Sequence, residues 1–115
     1  MSVHLYGIRN CDTMKKARGW LDARGTVYGF HDYKVAGVPE AALRAWVARL
    51  GWAALLNRSG TTFRTLPEPE RADLDAERAV ALMLAHPSAI RRPVLVDGET
   101  LLVGFKPETW TAALG

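Results

Sequence analysis

A strand, a helix and a second strand fill the first 33 residues, and that order admits few folds. Val3–Tyr6 reads as a short buried strand followed by a turn. Asp12–Arg24 reads as an amphipathic helix with Met14, Ala17 and Leu21 on one face, and Gly25 is placed to end it. Val27–Tyr33 reads as a second strand, diluted by Gly29 and His31. A strand–helix–strand run in one sheet implies a parallel pair joined by a right-handed crossover.

The end of the chain supplies the other half of the sheet. Pro93–Val96 and Thr100–Phe105 read as a hairpin about Asp97-Gly98, a strong short-range turn signal. Pro107–Leu114 closes the chain as a helix, with Pro107 suited to its first turn. The expected architecture is α/β: a four-stranded mixed sheet covered by helices. Between the second and third strands lie roughly 60 residues, far more than an ordinary connection holds. That stretch is expected to fold as a helical lobe at about 38–88, inside a single domain spanning 1–115.

Within the lobe, Glu40–Leu50 carries Leu43, Trp46, Val47 and Leu50 as an apolar stripe, and Gly51 stops it. Trp52–Leu56 adds a short helical turn before the polar loop Asn57-Arg58-Ser59-Gly60. Thr61–Leu66 shows no clear period, and Pro67-Glu68-Pro69-Glu70 reads as a break. Asp75–His86 is a helix, with Asp73 or Asp75 as its cap and Pro87 beyond its end.

Charge and composition narrow the function classes. Fifteen Lys and Arg against 12 Asp and Glu leave a net charge of +3, a bias that suits small anionic ligands or an acidic protein patch. The basic residues are spread along the chain without an interleaved aromatic platform, which argues against direct nucleic-acid binding. No stretch approaches the roughly 20 apolar residues of a membrane span. Met1-Ser2-Val3-His4-Leu5 runs into a strand without a basic-then-apolar leader, so a cytoplasmic protein is expected. His4, His31 and His86 show no metal-ligand spacing, and no phosphate loop or Gly-x-Ser-x-Gly context is present, so neither a metal nor a bound cofactor is expected.

Cys11 is the only cysteine in the chain, which excludes an internal disulfide. It stands where the first strand's turn meets the first helix. A thiol there faces backbone N–H groups without intrahelical partners and the positive end of the helix dipole. Both favour the thiolate, and such settings lower a free cysteine from a pKa of about 8.5 to roughly 3.5–7.5. The competing reading is a small buried hydrophobe, a common fate of a free cysteine. Arg9, Lys15, Lys16 and Arg18 add positive charge nearby, and Asp12 opposes them.

In an open α/β sheet, ligands bind beyond the carboxyl ends of the parallel strands, where Asn10-Cys11 falls. Ile90-Arg91-Arg92-Pro93 leads into the third strand and is expected to approach the same place. Pro93 cannot donate a ladder hydrogen bond and so belongs at a strand start. A cis Arg92–Pro93 bond would make a tight bend there and turn Arg92 toward the thiol. An arginine fork in that position can hold an oxyanion or a carboxylate. Arg91 reads as a solvated loop charge, and Arg58 is a further basic candidate.

Several segments carry a family resemblance. They are Tyr6-Gly7-Ile8-Arg9-Asn10-Cys11-Asp12-Thr13-Met14-Lys15-Lys16-Ala17, Phe30-His31-Asp32-Tyr33, Gly51-Trp52-Ala53-Ala54-Leu55-Leu56-Asn57-Arg58, Ile90-Arg91-Arg92-Pro93-Val94-Leu95-Val96 and Val103-Gly104-Phe105. Together they resemble the ArsC-like family, and within it the YffB-like branch with its Asn-Cys-Asp-Thr motif. The resemblance implies a thioredoxin-like fold with a helical insertion. Arsenate reductases of this family use an N-terminal cysteine as nucleophile, a set of arginines as oxyanion cradle, and glutathione with glutaredoxin as reductant. Cys11 matches the nucleophile and Arg92 one cradle arginine. The second cradle position holds Asn57, with Arg58 next to it, and the third falls near Phe105, with Lys106 beside it.

Three functions follow as expectations. The first is a one-cysteine, glutathione-dependent thiol or disulfide reductase with Cys11 as nucleophile. There Asn10 and the first helical turn stabilise the thiolate, and Arg92, Pro93, Arg58 and Arg9 form the substrate or glutathione site. The second is arsenate reduction with glutathione and glutaredoxin, against which the incomplete cradle counts. The third is a non-enzymatic regulator of the Spx type that binds the RNA polymerase α subunit. Many Spx proteins carry a Cys-x-x-Cys switch, which Cys11-Asp12-Thr13-Met14 cannot form.

Overall fold

The computed structural model describes residues 3–115. Two compact units make up the chain, one comprising residues up to Gly37 together with Arg92–Gly115, the other Val38–Arg91.

The first unit begins with β1 (Val3–Gly7), α1 (Asp12–Ala23), β2 (Tyr28–Asp32) and a short α2 (Tyr33–Ala36). β1 and β2 pair in parallel, with Leu5 opposite Phe30 and Gly7 opposite Asp32. The second strand is shorter than Val27–Tyr33 at both ends. Val27 is 88% exposed, and Asp32 accepts the Lys34 N–H at 2.8 Å, capping α2 so that Tyr33 turns into a helix. Gly25 takes φ +72° just past α1, as a helix-ending glycine should.

The second unit is helical: α3 (Glu40–Leu50), α4 (Trp52–Leu55), α5 (Thr61–Arg64), α6 (Glu68–Arg71) and α7 (Ala76–Ala85), followed by a 3-10 turn at Pro87–Ala89. The expected break at Pro67–Glu70 is instead a helical turn. Pro69 falls within its first turn, where a missing N–H costs nothing. Thr61–Leu66 resolves as the single turn α5, which is too short for a period to show. Asp75, not Asp73, caps α7 by accepting the Arg78 N–H at 2.8 Å. An isolated bridge between Leu56 and Ile90, with the bonds Asn57 N–H to Ala89 O at 2.8 Å and Arg91 N–H to Leu55 O at 2.7 Å, ties the polar loop's start to the segment before Arg92.

The chain re-enters the first unit with β3 (Val94–Asp97), β4 (Thr100–Val103) and α8 (Pro107–Leu114). β3 runs antiparallel to both β1 and β4, giving the order β2-β1-β3-β4, an α/β sheet of thioredoxin-like arrangement. Asp97 pairs with Thr100, so the two-residue turn is Gly98-Glu99 rather than Asp97-Gly98. Gly98 supplies the positive φ of +59° at the first loop position, which a two-residue hairpin turn with glycine there requires. The core of this unit gathers Leu5, Met14, Ala17, Leu21, Leu95 and Trp110, all fully buried, with Val3 beside them. The Trp110 indole N–H donates to Gly104 O at 3.0 Å, so its one polar atom is satisfied inside.

Candidate functional site

Register brings three chain segments to one end of the sheet. Gly7 pairs with Asp32 in parallel, and Tyr6 pairs with Val94 in antiparallel. The residues after β1, those after β2 and those before β3 therefore lie together. They contribute Cys11, Tyr33 and Arg92. A close approach seats α1 there: a Cβ on Gly7 would lie 2.4 Å from the Met14 sulfur, so only glycine lets that buried side chain pack beneath the strand end.

Cys11 is the N-cap residue of α1, half-buried and in extended geometry (φ −135°, ψ 132°). Burial pushes its thiol up. The backbone N–H of Met14, a hydrogen bond and charge from Arg92, and the N–H of Thr13 outweigh burial and hold it below the usual thiol value. The N–H groups act as local dipoles rather than through a full side-chain cap bond, which is not formed. Arg92 itself is half-buried, and the Arg92–Pro93 bond is cis. Pro93 is fully buried and accepts the Gly104 N–H at 2.8 Å, which anchors the bend to the end of β4.

Tyr33 is a residue that composition and spacing gave no reason to single out. Its side chain is 2% exposed, and its hydroxyl has no hydrogen-bond partner among the described residues. Burial pushes that hydroxyl well above its ordinary range; Tyr6 adds to the rise and Arg92 opposes it. Arg92 thus acts electrostatically on both the thiol and the phenol. The rings of Tyr6, His31 and Tyr33 form a row, with centroids 5.3 and 6.0 Å apart. The signal that could have found Tyr33 is its place directly after a parallel strand, at the ligand-binding end of the sheet.

Residues 6–113 match the ArsC family. The chain belongs to this family. Its solved relatives include the YffB protein PA3664, 57% identical, with a TM-score of 0.95 and coverage of 98% of this chain and 99% of that one. An arsenate reductase (ArsC) related protein from Brucella melitensis is 53% identical, with a TM-score of 0.78 and coverage of 99% and 95%. The global transcriptional regulator Spx of Streptococcus mutans is 23% identical over 114 residues, covering 97% of this chain and 82% of that protein.

On this ArsC-family frame the expected site residues divide. Arg92 and Pro93 stand with Cys11. Asn10 is exposed beside it. Arg9 is exposed; its backbone N–H donates to Asp32 at 3.3 Å, and its guanidinium carbon lies 5.6 Å from the Phe30 ring centroid. Arg58 belongs to the second unit, where its guanidinium lies over Trp52 at 5.4 Å. Asn57 accepts a bond from the Ser59 hydroxyl at 3.1 Å. Phe105 is packed against Trp110 at 4.9 Å, so a core ring occupies the position after the last strand. The fourth residue of Cys11-Asp12-Thr13-Met14 is a fully buried methionine. Among the described residues, no group of His, Cys, Asp or Glu is placed to hold a metal, and no helix is long and apolar enough to cross a membrane.

Proposed function

We propose that this protein is a glutathione-dependent thiol or disulfide reductase working through Cys11 alone. The observation that carries the reading is the environment of that thiol, held below its ordinary pKa by two backbone N–H groups and the Arg92 guanidinium. The Cys11 thiolate attacks one sulfur of a disulfide. A Cys11–substrate disulfide forms, and the other sulfur leaves as a thiolate carrying the electron pair. A second cysteine is not available to resolve the mixed disulfide, so an external thiolate attacks it and returns the electron pair to Cys11. Glutathione fits that role, its carboxylates pairing with Arg92 and Arg9. Asn10 and the first turn of α1 support the thiolate. Such chemistry suits a reducing compartment, the cytoplasm.

The pH dependence of Cys11 alkylation by iodoacetamide, read by intact mass, tests the first step. A midpoint below about 7.5 supports it; a midpoint at or above about 8.5 makes Cys11 structural. The second test is glutathione-dependent turnover of a small disulfide, which Cys11→Ser must abolish.

Arsenate reduction with glutathione and glutaredoxin is the neighbouring reading, favoured by the likeness to the Brucella protein. Asn57 and Phe105 in the other two cradle positions weaken it, and the absence of arsenite release with both partners present would end it. The likeness to Spx supports a third reading, a regulator binding the RNA polymerase α subunit. A pull-down with the α C-terminal domain that survives Cys11→Ser would favour that reading over catalysis.

A further inference from the structure

Near the thiol, the first unit carries two arginines held on one aromatic ring. β2 is an edge strand. Its Phe30 is paired with Leu5 in register and packs against the same core as Cys11. The guanidinium carbon of Arg18 lies 4.6 Å from the Phe30 centroid, and that of Arg9 5.6 Å from it. Arg18 Nε also donates to the Tyr28 hydroxyl at 3.2 Å. The two cations are therefore no further apart than about one Debye length, on the order of 10 Å in 0.1 M salt.

Acids stand near but do not neutralise them. Asp22 follows Arg18 by one helical turn, and Asp32 binds the backbone N–H of Arg9 and of Lys34. Among the described residues no carboxylate comes within 4.0 Å of either guanidinium, whereas Arg44 pairs with Glu40 and Glu77. An exposed arginine ordinarily loses much rotamer freedom when it binds an anion. Here the ring and the tyrosine hydroxyl have already restricted it, so less is lost on binding. Two like charges on one ring also repel, and an anion that binds both relieves that.

The distance to the thiol sets the ligand's shape. Arg9 lies two residues before Cys11. Arg18 lies seven residues after it, two turns along the same side of α1 and about 10 Å away. An extended peptide covers about 3.3–3.6 Å per residue. A carboxylate two or three residues from a disulfide-linked sulfur spans that gap.

We propose that Arg9 and Arg18, held by Phe30 and Tyr28, form an anion subsite selecting the partner that shares a disulfide with Cys11. That partner is a cysteine-bearing acidic peptide with a carboxylate two or three residues from its sulfur. The inference rests on Cys11 as the nucleophile. The covalent step is the exchange already described: the Cys11–peptide disulfide forms, the peptide's former disulfide breaks, and its leaving thiolate takes the electron pair. The arginines bind and orient the peptide and take no part in the electron movement.

The test uses the whole protein and three amidated tetrapeptides. Each carries an acetylated cysteine, two glycines and a final glutamate, glutamine or lysine, and each is activated as its 2-pyridyl disulfide. The leaving group is the same throughout, so release of pyridine-2-thione reports the effect of the last residue alone. The glutamate peptide is expected to react about three- to tenfold faster than the glutamine peptide, and the lysine peptide slower than both. In 0.5 M salt the preference collapses. In R18Q and in R9Q the glutamate-to-glutamine ratio falls toward one, and because this ratio is internal to each variant, a general loss of reactivity does not alter it. Equal rates for all three peptides on the wild-type protein overturn the subsite, as does a preference that R18Q retains. No reaction with any peptide would instead overturn Cys11 as nucleophile. The mixed disulfide of glutathione with 2-thiopyridine separates two sources of the same chemistry. If it reacts as fast as the glutamate peptide the ligand is a tripeptide, and if it reacts more slowly the ligand is a longer acidic segment.

Discussion

Replacing Arg92 with glutamine should raise the Cys11 pKa by about one unit. Arg92 gives the thiolate one hydrogen bond and one nearby positive charge. A hydrogen bond to a charged group contributes about 1.5–3 kcal/mol in a closed site. A charge pair at about 4 Å is worth about 1 kcal/mol in water and about 4 at an effective dielectric of 20. Cys11 is only half-buried, so screening places the sum near the low end, about 1.5 kcal/mol. At 1.36 kcal/mol per unit this is about one pKa unit. The thiolate fraction at a pH below the midpoint then drops about tenfold. Intrinsic nucleophilicity rises with basicity, with a slope of about 0.4–0.5, so the observed alkylation rate at that pH falls only about threefold. The assay is the pH profile of iodoacetamide alkylation for the wild type, R92Q and R92K. Lysine keeps the charge and loses the fork, and its midpoint should fall between the other two. An R92Q midpoint within 0.2 units of wild type, in a protein of unchanged Tm, would refute Arg92 as one of the groups that hold the thiolate.

Tyr33→Phe removes a buried hydroxyl that has no partner among the described residues, so it should leave stability unchanged or raise Tm by a few degrees; a loss above about 1 kcal/mol in urea unfolding would show that the hydroxyl is bonded. Gly7→Ala drives a Cβ to 2.4 Å from the Met14 sulfur and should cost about 1–3 kcal/mol, with the Cys11 alkylation profile displaced because α1 shifts. Asp75→Ala removes the cap on Arg78 N–H and should cost about 1 kcal/mol by thermal unfolding without changing Cys11 reactivity. Because folding lowers the Cys11 pKa, that residue contributes stability above its unfolded value. The contribution is lost as pH falls through the folded value, and Cys11→Ser should flatten this slope in Tm against pH.

Local rules carried most of the element order. Hydrophobic periodicity located α1, α3 and α7 because each buries one stripe, and that repeat is written into the chain. Gly25, Gly51 and Gly98 take positive φ where helices or strands must stop, a demand that only the local backbone makes. The errors fell where several short-range signals compete. Pro69 reads as a breaker until its place in a first turn is known, and Asp97 reads as a turn residue until pairing with Thr100 makes it the last residue of a strand.

The site divides along the same line. Cys11 at the start of α1 was legible because the helix dipole and the unpaired N–H groups depend on one segment alone. Its approach to Arg92 depends on the pairing of β1 with β3, residues some ninety positions apart that no local pattern relates. The burial of the Tyr33 hydroxyl, and the meeting of Arg9 and Arg18 on Phe30, likewise arise from the β1–β2 register and from α1 packing against the sheet. Sequence by itself determined which residues could carry chemistry and which elements would hold them. Only the tertiary structure decided which side chains share a neighbourhood, because charge, burial and hydrogen bonding act over a few ångströms of space, however far apart the residues stand along the chain.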